Sequence, residues 1–154
     1  MQPSQACIQL IQQSEGCAKR QPDGSFAAYP DPGTGGDPWT IGWGTTGADV
    51  RKGMIWSQQQ CDERFGNDLD AFAAKVAQAI GDSPTTQPQF DAMVSFAYNV
   101  GVGNLASSTL LRKHKAGDFK GAALEFARWD KAAGKVLPGL TKRRAAEAAL
   151  YARP

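Results

Sequence analysis

From Ser57 to Gly81, the apolar residues Cys61, Phe65, Leu69, Phe72, Ala73, Val76 and Ile80 recur at three- and four-residue spacing. That is the period of one buried helical face. Ser57 followed by Gln60 makes a capping box at its start. A helix this long divides the chain. A glycine- and proline-rich segment lies before it and a helical remainder after it, so the expected fold class is α+β and mostly helical.

Residues 4–15 carry Ala6, Cys7, Leu10, Ile11 and Ser14 at helical spacing, with Ser4 as N-cap and Gly16 as the stop. Glu15 then falls at or just past the last turn, at the negative end of the helix dipole. That position is mildly unfavourable for the ionised carboxylate, the direction a proton donor needs. Pro22-Asp23-Gly24-Ser25 is a reverse-turn signature. Phe26-Ala27-Ala28-Tyr29 reads as a short strand. Two prolines, Pro30 and Pro32, flank Asp31 and restrict its backbone. Trp39 to Trp43 reads as a strand with Thr40 and Gly42 on one face and Trp39, Ile41 and Trp43 on the other. Gly42 and Gly44 remove side chains where a backbone or ligand would come close. Residues 26–46 are thus expected to form a small antiparallel sheet.

Beyond Gly81, Thr86 caps a helix with Pro88 in its first turn and Phe90, Met93, Val94, Ala97 and Tyr98 as its stripe. This helix is apolar enough for the centre of the core, and Gly101-Val102-Gly103 ends it. Further helices are expected at about 106–116, 118–128 and 141–152, punctuated by Gly117, Gly134 and Pro138-Gly139, with Thr141 as a cap. The organisation expected is one domain over 1–154. It has a sheet lobe over about 16–55 and a helical lobe over about 57–154 that includes the N-terminal helix.

A length of 154 residues buries roughly 70% of the unfolded chain's surface, so no staple is needed. A net charge of +2 makes no case for a nucleic-acid partner. No apolar run reaches the roughly 18 residues of a membrane span, and Met-Gln-Pro-Ser-Gln lacks the start of a signal peptide. The cysteines Cys7, Cys17 and Cys61 form no C-x-x-C pair. They read as free thiols, or as a Cys7–Cys17 or Cys17–Cys61 bridge that would shift nearby Glu15. One histidine, His114, and three scattered cysteines make no zinc site, and no metal or cofactor is expected. His114, beside Arg112, Lys113 and Lys115, reads as a surface residue.

Glu15, Asp31 and Thr40 are the candidate catalytic residues. Glycosidic cleavage needs one carboxyl protonated to give its proton to the leaving oxygen, and one ionised to direct water or attack the sugar carbon. Their environments assign the roles. Glu15 at a helix end suits the acid, Asp31 on a polar glycine-rich rim suits the ionised partner, and the Thr40 hydroxyl suits a second water contact. By composition alone, two acids and a threonine this close are common.

Glu15-Gly16, then Ala28-Tyr29-Pro30-Asp31, then Trp39-Thr40-Ile41-Gly42-Trp43-Gly44-Thr45-Thr46 resembles the active-site signature of the phage-type lysozymes. Residues 87–101, 107–113, 128–131 and 134–147 resemble that family's later segments in order, so the resemblance covers essentially the whole chain. It implies a lysozyme-like fold and a muramidase that cuts the β-1,4 bond between N-acetylmuramic acid and N-acetylglucosamine in peptidoglycan. It also implies inversion at the anomeric carbon, with Glu15 as general acid and Asp31 and Thr40 placing water. Tyr98 and Ser108 are implied sugar contacts and Trp43 is a further aromatic candidate, against core packing for the aromatics and a helix-turn hydroxyl for Ser108. Arg143 or Arg144 is the implied partner of Glu15, against a solvated basic face.

The implied setting is phage-driven host lysis by a monomer without stable membrane insertion. Such an enzyme would collect in the host cytoplasm until a holin-type pore releases it to the wall. The chain departs from the family in two longer segments, Arg20–Phe26 and Gly33–Pro38. These make Asp23 and Asp37 rivals to Asp31, but neither follows an aromatic strand, and both read as solvated turn residues. The functional rivals are a lytic transglycosylase, which should not need Asp31, and a non-catalytic wall-binding or membrane-disrupting protein. Only the basic start of the terminal helix (Lys142, Arg143, Arg144) supports the latter.

Overall fold

The computed structural model describes residues 1–17, 20–31 and 35–154. Gly33 and Thr34, within the expected second insertion, lie outside the described residues. The chain forms two compact units, Glu15–Asp68 and Met1–Ser14 with Leu69–Pro154.

In the unit Glu15–Asp68, strands β1 (Phe26–Ala27) and β2 (Ile55–Trp56) pair antiparallel, Phe26 opposite Trp56 and Ala27 opposite Ile55. The pairing continues where Ala28 N–H donates to the Met54 carbonyl at 2.9 Å. Tyr29 and Thr40 exchange both backbone hydrogen bonds at 2.9 Å, and Ile41 and Thr45 exchange theirs at 3.0 Å. The expected strand Trp39–Trp43 is therefore cut short at Ile41. Gly42 (φ +62°) and Gly44 (φ +78°) are left-handed and turn the chain back at once. The β2 partner, Ile55–Trp56, was not expected as a strand. Around these ladders a small core forms from Phe26, Ile41, Val50 and Cys61. Cys17, Ala28, Trp39, Trp43, Met54 and Trp56 pack against it.

Helix α1 covers Gln5–Glu15, and Gly16, at φ +66°, ends it. Cys7 and Ile11 carry its buried face while Ser14 is exposed, contrary to the expected stripe. Helix α2 covers Gln58–Ile80. Both bonds of its capping box are present, Gln60 N–H to Ser57 Oγ at 3.1 Å and Ser57 N–H to Gln60 Oε1 at 2.8 Å.

In the unit Met1–Ser14 with Leu69–Pro154, helix α3 (Gln87–Val100) is the core element, buried continuously from Gln89 to Ala97. Thr86 caps it with a reciprocal capping box to Gln89, as expected. It packs against α7 (Pro138–Tyr151). Between them lie α4 (Val102–Ala106), α5 (Thr109–Lys115), α6 (Phe119–Glu125) and a 3₁₀ turn, Phe126–Trp129. Phe96 meets Phe126 and Trp129 edge-on at 5.6 and 5.3 Å, an orientation that aromatic quadrupoles favour.

This unit departs from expectation at four points, each for a local reason. The helix expected at about 106–116 starts only at Thr109, because the Ser108 hydroxyl accepts the Leu111 N–H and caps α5 there. Of the expected stop Gly101-Val102-Gly103, Gly101 does end α3, whereas Val102 and Gly103 already belong to α4. Thr141 is interior to α7, which begins at Pro138, a residue whose fixed φ and missing N–H suit the first helical position. A hairpin of β3 (Lys131–Ala132) and β4 (Lys135–Val136) was not expected. Its turn residues Ala133 and Gly134 both have positive φ, the geometry that closes two-residue hairpins.

Candidate active site

Glu15, Asp31 and Thr40 all fall in the unit Glu15–Asp68, and the turn at 42–44 relates them. The Glu15 carboxylate lies against the backbone of Gly44. A Cβ on Gly44 would sit 2.6 Å from Glu15 Oε2, so the hairpin can hold that carboxyl only because residue 44 lacks a side chain. Thr40 immediately precedes the hairpin and pairs with Tyr29. Burial, then the nearby Glu15 charge, pushes the Tyr29 phenol above its ordinary pKa. Asp31, two residues beyond Tyr29, is held through its backbone by Gly35 and Gly36. Its N–H donates to the Gly36 carbonyl at 2.9 Å and its carbonyl accepts from Gly35 N–H at 2.8 Å. The Glu15 carboxylate thus meets the hairpin that Thr40 begins, and Asp31 stands two residues along the chain from Tyr29, the backbone partner of Thr40.

The rivals to Asp31 sit differently. The Asp23 carboxylate is occupied within its own turn by Ser25 N–H at 2.9 Å and Ser25 Oγ at 2.6 Å. These bonds hold its pKa below the usual carboxylate value. Asp37 is exposed.

Trp43 occupies the hairpin turn, half-buried. Its indole N–H donates to Asp62 Oδ1 at 2.8 Å, and its ring meets Phe65 at 6.3 Å. Asp62 also accepts from Gln58 Nε2 at 2.9 Å, so the first turn of α2 fixes the tryptophan. Asp62 and Tyr29 were given no role from the sequence. Tyr29 stood inside the signature, but its link to Glu15 depends on a contact that spacing does not encode.

The remaining candidates belong to the other unit. Tyr98 is half-buried with its ring 5.2 Å from Phe72. Ser108 is buried, and its hydroxyl caps α5 while donating to the Leu105 carbonyl at 2.7 Å. Arg143 and Arg144 are 5% and 0% exposed, so they are not the solvated basic face weighed above. Arg143 Nε reaches Glu147 Oε2 at 3.3 Å, and its Nη2 donates to the Ser95 carbonyl at 3.1 Å. Arg144 pairs with Glu147 Oε1 at 2.9 Å, donates to Asn99 Oδ1 and stands over the Phe96 ring at 5.1 Å. Of the basic run that supported a surface-active helix, Lys142 alone is exposed. His114 is likewise no surface residue: it is 1% exposed. Thr85 Oγ1 lies 2.9 Å from its Nε2 and Tyr151 OH 2.6 Å from its Nδ1, and burial lowers its pKa. Among the described residues, no cluster of three potential metal ligands occurs, and no helix is long and apolar enough to cross a membrane.

The phage lysozyme family model matches residues 13–147. The endolysin of Bacillus phage B103 is 41% identical over 151 residues, which cover 98% of this chain and 54% of that protein. The chain therefore spans about half the length of such relatives. The solved endolysin from Escherichia coli O157:H7 phage FAHEc1 superposes with a TM-score of 0.82 at 34% identity, covering 99% of this chain and 94% of that one. The muramidase domain of SpmX from Asticaccaulis excentricus superposes equally well, at 32% identity over 98% of this chain and 97% of that one.

Proposed function

Because the chain belongs to the phage lysozyme family, we propose that it is a muramidase: it hydrolyses the β-1,4 bond from N-acetylmuramic acid to N-acetylglucosamine in peptidoglycan, for host lysis. In the proposed step, Glu15 gives its proton to the bridging oxygen as the bond from the anomeric carbon breaks. A water held by Asp31 and the Thr40 hydroxyl attacks that carbon from the opposite face. Its surplus proton passes to Asp31, and the muramic acid leaves with inverted configuration. No metal or organic cofactor enters. Trp43 and Tyr98 are the aromatic surfaces proposed for the sugar rings. The enzyme acts as a single chain on glycan strands, released to the wall through a holin-type pore.

The observation that supports this reading best is the seating of Glu15 on the Gly44 backbone, in the hairpin that Thr40 begins. A proton donor must be held within hydrogen-bond reach of its oxygen, and this seat fixes the Glu15 carboxyl. The test is mass spectrometry of fragments released from purified peptidoglycan in ¹⁸O-water. Reducing-end muramic acid carrying one ¹⁸O is the expected product. Anhydro-muramic ends without the label would identify a transglycosylase instead, and release of no glycan fragments would favour a non-catalytic wall binder.

A further inference from the structure

The unit Glu15–Asp68 brings two thiols to one small core cluster. Cys17, two residues beyond Glu15 and half-buried, packs against the small core that includes Cys61. The two thiols are near enough for each to bear on the other's ionisation. Cys61 lies in the first turn of α2, fully buried, and presses on the same hairpin that seats Glu15. A Cβ on Gly42 would sit 2.8 Å from Cys61 Sγ, just as one on Gly44 would sit 2.6 Å from Glu15 Oε2. The hairpin is held at Gly42 by one member of the thiol pair and at Gly44 by the acid beside the other. Both cysteines are reduced in this structure.

We infer that Cys17 and Cys61 are a disulfide-forming pair whose bond staples the segment bearing Glu15 to the start of α2. Cys7 is not the partner. It belongs to the other unit, is completely buried there, and its thiol is pushed up to about 12 by burial and then by the charges of Asp91 and Glu147.

The oxidant is a low-molecular-weight disulfide. The Cys17 thiolate attacks one sulfur of the reagent, whose S–S bond breaks and releases one half as a thiol. The Cys61 thiolate then attacks Cys17 Sγ and expels the second half. Two S–H protons end on the two released thiols, and the reagent takes up the two electrons. Burial pushes the Cys17 thiol up to about 11, so the first step accelerates as pH rises from neutral towards that value. Burial, then the Asp62 charge, raises the Cys61 thiol as well, so the second attack is likewise favoured by alkaline pH.

The inference can be tested apart from lytic activity. The purified full chain is incubated with oxidised glutathione in mildly alkaline buffer, alkylated and mapped by peptide mass spectrometry. The expected result is one Cys17–Cys61 cross-linked peptide, lighter by two hydrogens than the reduced pair, with Cys7 alkylated. Apparent Tm should rise by roughly 5–10 °C, because the bridge closes a long loop in the unfolded chain, and fall back on reduction. Cys17→Ser, at the half-buried position, should fold and show neither cross-link nor Tm shift. A lasting glutathione adduct on Cys17 with Cys61 alkylated, a bridge through Cys7, or a bridge that lowers Tm would overturn the inference.

Discussion

A Cβ at position 44 has two objections to meet: the φ of +78° and the Glu15 oxygen 2.6 Å away. Gly44→Ala should therefore cost about 1–2 kcal/mol for the left-handed backbone alone. It should also displace the carboxylate and lower hydrolysis at least roughly tenfold, as misplaced catalytic groups do. Urea unfolding and turnover on the same preparation separate the two effects. Glu147 makes a different prediction. It is completely buried between Arg143 and Arg144 and accepts from Ser95 Oγ at 2.6 Å. Glu147→Gln leaves two buried guanidinium groups without their counter-charge and should cost about 3–5 kcal/mol, measured by chemical denaturation. His114 supplies the pH dependence. Burial depresses its folded pKa below the ordinary value of 6.5, so below that value the unfolded chain takes up the proton first. The contribution of His114 to stability is complete above pH 6.5, and it declines as pH falls to the folded value. A pH series of unfolding midpoints for wild type and His114→Gln should show that decline in the wild type alone.

At the scale of elements, local chemistry was legible and remote pairing was not. The capping boxes at Ser57–Gln60 and Thr86–Gln89 could be read because their partners are three residues apart, and both form. Thr86→Ala should accordingly cost about 1 kcal/mol in denaturant unfolding, with an unchanged m-value. The short strands were harder. Ile55–Trp56 is only two residues long, and its partner Phe26–Ala27 lies far back in the chain, so neither length nor alternation marks it. Gly42 and Gly44 were understood as points of close approach, which they are. That their positive φ also ends the strand depends on how the chain returns to pair Ile41 with Thr45. Ser108 and Pro138 carried start signals that were read as interior or punctuation, and each begins a helix.

For the whole molecule, the α+β, mostly helical organisation and the order of its segments were visible in periodicity and in the resemblance. Both agree with the family match over 13–147 and the fold shared with the FAHEc1 endolysin. What stayed hidden was burial of charge. Glu147 stands at helical spacing from Arg143 and Arg144, but nothing local reveals that Ser95 meets Arg143 or that Tyr151 meets His114. The candidate site was legible as a set of residue types, whereas the seat that Gly44 offers Glu15 required the fold. The account rests on Glu15 as the proton donor. The most direct measurement is the rate at which Glu15→Gln, matched to wild type by circular dichroism and unfolding midpoint, liberates reducing ends from purified peptidoglycan. The account predicts a fall of at least roughly a hundredfold, the lower bound for a general acid. A variant that is folded and cuts within a few-fold of wild type would contradict it.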